Sequence, residues 1–150
     1  MILKKYAIDA CALIDAAKNY NMSKKTFSNI WEKLEEMVEN GTLITSVEIK
    51  DELMDDDIIN WCNKHKEMFV KLSVEIQEKV TNVLRDFPNM IKITTKKNSN
   101  GDPFLVATAL VKEATIVTNE KRGENKIPTI CEEIGIECLN LNGFLDEILE

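Results

Sequence analysis

Carboxylate residues recur at or just beyond the ends of short apolar runs in this sequence. Asp9 ends Tyr6-Ala7-Ile8, Glu48 and Glu52 follow Thr42-Leu43-Ile44-Thr45, and Glu120 follows Ala114-Thr115-Ile116-Val117-Thr118 after Asn119. Asp102 opens the apolar segment that leads into the last of these runs. A fold that gathers these acids at one end must neutralise them or bind cations, because clustered like charges are costly. Mg²⁺ or Mn²⁺ is the natural answer: a hard cation takes oxygen ligands and keeps several waters, so a few carboxylates plus a substrate phosphate complete its shell. Nucleophilic side-chain chemistry has less to work with. The Cys, Ser and His residues form no evident triad, and Cys11, Cys62, Cys131 and Cys138 contain no C-x-x-C pair and read as small hydrophobes. His65, with Trp61, Cys62 and Phe69 at helical spacing, reads as a packed or partly exposed ring on a helix.

The elements that would carry these acids alternate. Tyr6 to Asp9 reads as a strand and the following Ala12-Leu13-Ile14 as the opening of a helix. Phe27, Ile30, Trp31, Leu34, Met37 and Val38 keep the helical period, and Asn40-Gly41 stops it. Thr42 to Thr45 reads as a buried strand and Ser46 to Met54 as a helix. Two further amphipathic helices, Ile58 to Phe69 and Ile76 to Phe87, form a helical insertion over about 56–87 that Pro88 ends. Lys96 to Gly101 reads as a loop, and Asp102-Pro103 starts a helix through Val111. Strands at Ala114–Thr118 and Ile136–Leu139, a short helix at Pro128–Glu133 and a terminal one at Phe144–Leu149 complete the reading.

This alternation predicts an α/β fold in one domain, 1–150: a mostly parallel four-stranded sheet with helices on both faces. Ligands in such sheets gather outside the carboxyl ends of the strands. The net charge of −7 excludes a protein that coats nucleic acid by charge alone, though not an enzyme that holds phosphate through metal ions. No segment nears the ~20 apolar residues of a membrane span, and the N-terminus lacks a secretory apolar core, so a cytoplasmic location is expected.

The ordered motifs resemble those of the PIN-domain family of metal-dependent nucleases. Ile8-Asp9-Ala10-Cys11-Ala12-Leu13-Ile14-Asp15 is similar to the family's opening strand and turn, and Val47 to Leu53 to its second acidic motif. Gly101-Asp102-Pro103-Phe104-Leu105-Val106-Ala107-Thr108-Ala109 is similar to the third and Ile116-Val117-Thr118-Asn119-Glu120 to the fourth. Within the family the likeness is to small prokaryotic PIN-like proteins with VapC-type toxin relatives, supported by Ile127-Pro128 and Cys131. The resemblance implies a PIN-like fold with the first strand central, metal ligands Asp9, Glu52, Asp102 and Glu120, and the Thr118 hydroxyl orienting an acid or water. It further implies a Mg²⁺- or Mn²⁺-dependent endoribonuclease, the toxin of a toxin–antitoxin pair, with RNA as substrate and a protein antitoxin as partner; homodimerisation is left open. Where hydroxyl residues are common in the family this chain has Ala10 and Cys11, and Glu120 stands where Asp is common.

Each residue also has a plainer reading. Asp102 before Pro103 fits a helix cap, as does Asp9 at a strand end. Glu48, three residues after Thr45, fits a capping box, shares a helix face with Glu52 and is assigned beside Cys11 and Thr118 to a supporting role. Asp55-Asp56-Asp57 precedes a helix whose dipole it complements, and Asp15 is expected to be solvated or to support the ligands. Lys96, Lys97, Lys121 and Arg122 flank two of the acidic motifs and, like Lys126, are expected to grip phosphate. A haloacid dehalogenase-type phosphatase would need a second Asp where Cys11 stands. The remaining rival is a PIN-like module that binds RNA or protein with a weak or dead metal site.

Overall fold

The computed structural model describes residues 3–90 and 101–149. Five parallel strands form one sheet in the order β3-β2-β1-β4-β5: β1 is Tyr6–Ile8, β2 Leu43–Ser46, β3 Phe69–Val70, β4 Thr115–Val117 and β5 Cys138–Leu139. β1 is central, and the chain first builds outward through β2 and β3 before crossing to β4 and β5. The strand order therefore switches direction beside β1. Alternation along each strand sorts the side chains onto two faces. Tyr6, Ile8, Leu43 and Val117 face a core shared with α1 (Ala10–Asn19), α2 (Ser28–Glu39), α3 (Asp56–Lys64) and α7 (Leu141–Ile148). Ala7, Ile44 and Ile116 face the opposite core, packed by α4 (Val74–Asp86), α5 (Gly101–Lys112) and α6 (Ile127–Ile134). Helices thus cover both sides of a parallel sheet, which is why its three inner strands are buried along their whole length. No helix among the described residues is long and apolar enough to cross a membrane.

Three departures from the sequence expectation have physical causes. The sheet has five strands because the expected helix from Ile58 to Phe69 stops at Lys64. Phe69 and Val70 leave it to pair with Thr45 and Ser46. An aromatic and a β-branched residue suit an edge strand, and the i,i+4 spacing of His65 and Phe69 coincides with the helical period without continuing it. The segment 56–87 is accordingly not a purely helical insertion but α3, a strand of the sheet and α4.

The expected helix over Ser46–Met54 is instead a 3₁₀ segment, Val47–Glu52. With three residues per turn, positions 48 and 52 no longer share a face. The capping box is also absent: Ser46 Oγ accepts from Glu48 N at 3.2 Å, while Thr45 Oγ1 donates to Ile8 O at 2.6 Å and ties β2 to β1. Finally, α5 begins at Gly101, which puts Asp102 and Pro103 inside its first turn. This helix is buried nearly all round, its Leu105, Val106 and Ala109 against the sheet and its Ala107 against Ile76 and Val80 of α4. Its apolar sequence shows little amphipathic contrast for that reason.

Candidate metal centre

Asp9 leaves the carboxyl end of β1, where its N–H still donates to Val117 O of β4 at 2.8 Å. The residue is buried, and its carboxylate accepts three hydrogen bonds: from Ala10 N at 2.8 Å and from Thr118 Oγ1 at 2.8 Å and Cys11 Sγ at 3.2 Å, both on Oδ2. Asp9 therefore caps α1, as the plainer reading held, while projecting toward the switch point of the sheet. A carboxylate offers about four acceptor positions, so three bonds to the protein leave room for a cation. Thr118 is equally committed. Its oxygen also accepts from Glu120 N at 3.1 Å and lies 3.3 Å from Cys11 Sγ. Burial and the Asp9 charge push the Cys11 thiol up to about 12, which makes it a donor that orients Asp9 and not a nucleophile.

The other acids arrive from separate elements. Oxygens of Asp9, Asp102 and Glu120 lie within 4.8 Å of one another. Glu52, at the end of the 3₁₀ segment after β2, lines the same cleft of about 400 Å³. Burial first, then the charges of Asp9, Glu120 and Glu52, push the Asp102 carboxyl up to about 8, with Lys126 opposing in part. The convergence of four carboxylates is thus written in the proton affinity of one of them. Glu120 is anchored from behind, its Oε1 accepting from Ile127 N at 2.8 Å at the start of α6. That bond explains the extra methylene: a glutamate reaches the helix terminus, which favours an anion, while its second oxygen remains available to the cluster.

The remaining expected residues divide. Asp15 lines the cleft, where Asn119 Nδ2 donates to it at 2.7 Å, and Asn119 Oδ1 in turn accepts from Leu141 N at 2.8 Å. Glu48 is exposed and takes no part in the cleft wall. Lys121 and Arg122 open onto a neighbouring groove shared with Pro128 and Cys138, and Arg122 pairs with Glu132. Neither lines the acid cleft, and of the acids only Glu120 also borders their groove; among the described residues Lys126 is the basic residue on the cleft wall. Lys96 and Lys97 lie outside the described residues. Asp55 caps α3 through Asp57 N at 2.8 Å, so the aspartate run is structural.

Sequence reasoning missed Asn89, Met90, Asn119, Glu124 and Asn125 on the cleft wall. Adjacency to Glu120 could have flagged Asn119. Asn89 and Met90 arrive through the tertiary path after α4, for which no local signal exists.

An all-oxygen donor set with this much uncompensated negative charge fits a hard divalent cation that retains waters. No curated protein sequence matches the chain. Residues 6–148 match the family model described as "Domain of unknown function (DUF4411)", and the chain belongs to that family.

Proposed function

We propose that this protein is a Mg²⁺- or Mn²⁺-dependent endoribonuclease of PIN-like fold, acting as the toxin of a toxin–antitoxin pair in the cytoplasm. The observation that carries the reading is the convergence of Asp9, Asp102 and Glu120 oxygens within 4.8 Å, with Glu52 on the same cleft. These residues would hold the cation, which supplies an activated water and charge stabilisation for phosphodiester hydrolysis. The chain's own groups do the positioning. Thr118 and Cys11 fix Asp9 Oδ2, the α6 terminus fixes Glu120, and Asn119 holds Asp15 at the cleft edge. Burial and the neighbouring carboxylates push the Asp102 carboxyl up to about 8, so a bound cation would displace its proton. No side-chain nucleophile is needed, in keeping with a protonated Cys11.

The test is cleavage of a mixed RNA pool by purified protein with Mn²⁺ or Mg²⁺, against chelator and the Asp9→Asn variant. Metal-dependent products ending in 5′ phosphate and 3′ hydroxyl are expected, and their loss in the variant. Calorimetric Mn²⁺ binding without cleavage of any RNA would instead favour a PIN-like binding module.

A further inference from the structure

Lys126 is the one cationic side chain on the cleft wall among the described residues, set against Asp9, Asp15, Glu52, Asp102, Glu120 and Glu124. It does no structural work that would account for its place. The residue is exposed, its side chain makes no capping bond to α6, and no described residue forms an ion pair with its ammonium. Its charge nevertheless reaches Asp102.

The backbone that presents it is tightly specified. Lys126 N donates to Gly123 O at 3.1 Å, Thr129 Oγ1 accepts from Gly123 N at 3.0 Å, and Asn125 sits at a φ of 63°. That left-handed region is uncommon for residues other than glycine, and asparagine tolerates it best. The next amide, Ile127 N, is the one that anchors Glu120. One turn therefore brings Glu120 and Lys126 to the wall of one cleft, next to a helix N-terminus.

We propose that Lys126 binds a phosphodiester anion of the RNA strand at the acid cleft, a claim that rests on the nuclease reading above. Were divalent cations to neutralise the carboxylates, Lys126 would be the group on the described cleft wall left to attract an anionic oxygen. A single phosphate contact also implies a shallow salt dependence, about 0.7 in the slope of log affinity against log salt for a single strand. Sequence preference should not change when it is lost, because a phosphate contact carries no base information.

The experiment measures binding of a short labelled RNA of mixed sequence by fluorescence anisotropy over a salt series, with Ca²⁺ as a hard cation of the same ligand preference. Steady-state cleavage in Mn²⁺ and Mn²⁺ calorimetry without RNA accompany it. Lys126→Gln should weaken RNA binding and raise KM by about tenfold or more, lower the salt slope by about 0.7, leave kcat within about threefold, and bind Mn²⁺ as tightly as the parent or tighter. Lys126→Arg should retain binding. Lys79→Gln on the exposed face of α4 makes the same change in net charge and should leave the slope alone. An unchanged slope and affinity in Lys126→Gln would overturn the proposal, and weakened Mn²⁺ binding would recast Lys126 as a prop for the acids. Wild-type protein that binds RNA with the expected slope but never cleaves it would sink the nuclease reading and leave the Lys126 contact standing; wild-type protein that binds no RNA would remove both.

Discussion

Asp102→Asn should uncouple cation binding from proton release. In the cation-free protein, burial and three neighbouring carboxylates hold the Asp102 carboxyl at about 8, so near pH 7 about nine-tenths of molecules carry that proton. A hard cation needs the anionic oxygen. Binding must therefore expel about 0.9 proton per molecule near pH 7 and about 0.1 near pH 9. Apparent Mn²⁺ affinity should rise close to tenfold per pH unit up to about pH 8 and then level off.

The same group sets a stability slope. Its folded value lies above the unfolded 3.8, so its contribution is complete below about pH 4 and is lost as the pH rises through about 8. At 1.36 kcal/mol per unit the ceiling is ~6 kcal/mol, and solvent in the open cleft reduces the expectation to ~1–3 kcal/mol. The substitution should raise the melting temperature of the apo protein above about pH 8 and flatten its pH dependence, because asparagine has no proton to lose. The assay is Mn²⁺ calorimetry near pH 7 in two buffers of different ionisation enthalpy, paired with apo melting curves from about pH 5 to about pH 9. Wild-type protein that binds Mn²⁺ without releasing a proton, or a variant that keeps the wild-type pH slope, would refute the argument.

Further substitutions probe how the proposed ligands are held. Glu48→Gln, on the exposed side of the 3₁₀ segment, should stay within about 0.5 kcal/mol of wild type in urea denaturation and cleave normally, whereas Glu52→Gln should lower Mn²⁺ affinity and cleavage by at least about tenfold; equal effects would reverse the assignment of Glu52. Thr118→Val deletes the bonds to Asp9 Oδ2 and Glu120 N, and should cost ~1–3 kcal/mol and most of the cleavage, with Thr118→Ser restoring both. Glu120→Asp is one methylene too short to serve both Ile127 N and the acid cluster. A loss of ~1 kcal/mol by melting or a severalfold loss of Mn²⁺ affinity is expected, and retention of both would show that the extra methylene has no such role.

The fold was legible in sequence wherever local period and burial agree. β1, β2 and β4 are short runs buried on both faces, which only a covered parallel sheet provides, and α2 is closed by Gly41 at a φ of 81° where the sequence places its stop. Legibility failed where tertiary pairing overrode the local pattern. Phe69 fits a helical stripe as well as it fits a strand, and only the free edge of β2, a long-range feature, decides for the strand. The 3₁₀ form of Val47–Glu52 was hidden in the same way: a six-residue amphipathic stretch satisfies both periods, and the difference moves Glu48 from the face of Glu52 to solvent.

The site divides along a different line. Its acids were readable because Asp9 and Glu120 follow strand ends, Asp102 sits in the first turn of a helix and Glu52 ends the short segment after β2, so that residue type and element order together bring them to one place. The basic residues were not readable, because their direction depends on a turn that no periodicity encodes: Gly123, the left-handed Asn125 and the Thr129 hydroxyl send Lys121 and Arg122 to one groove and Lys126 to another. Asp9 exposes a subtler point. Cap and ligand were posed as competing roles, yet its carboxylate takes an amide, a hydroxyl and a thiol and still has about one acceptor position to spare. The cap holds the carboxylate still, and a carboxylate already held loses less conformational freedom when a cation binds. For an acid at the junction of a central strand and its helix, the structural role would thereby support the proposed chemical one.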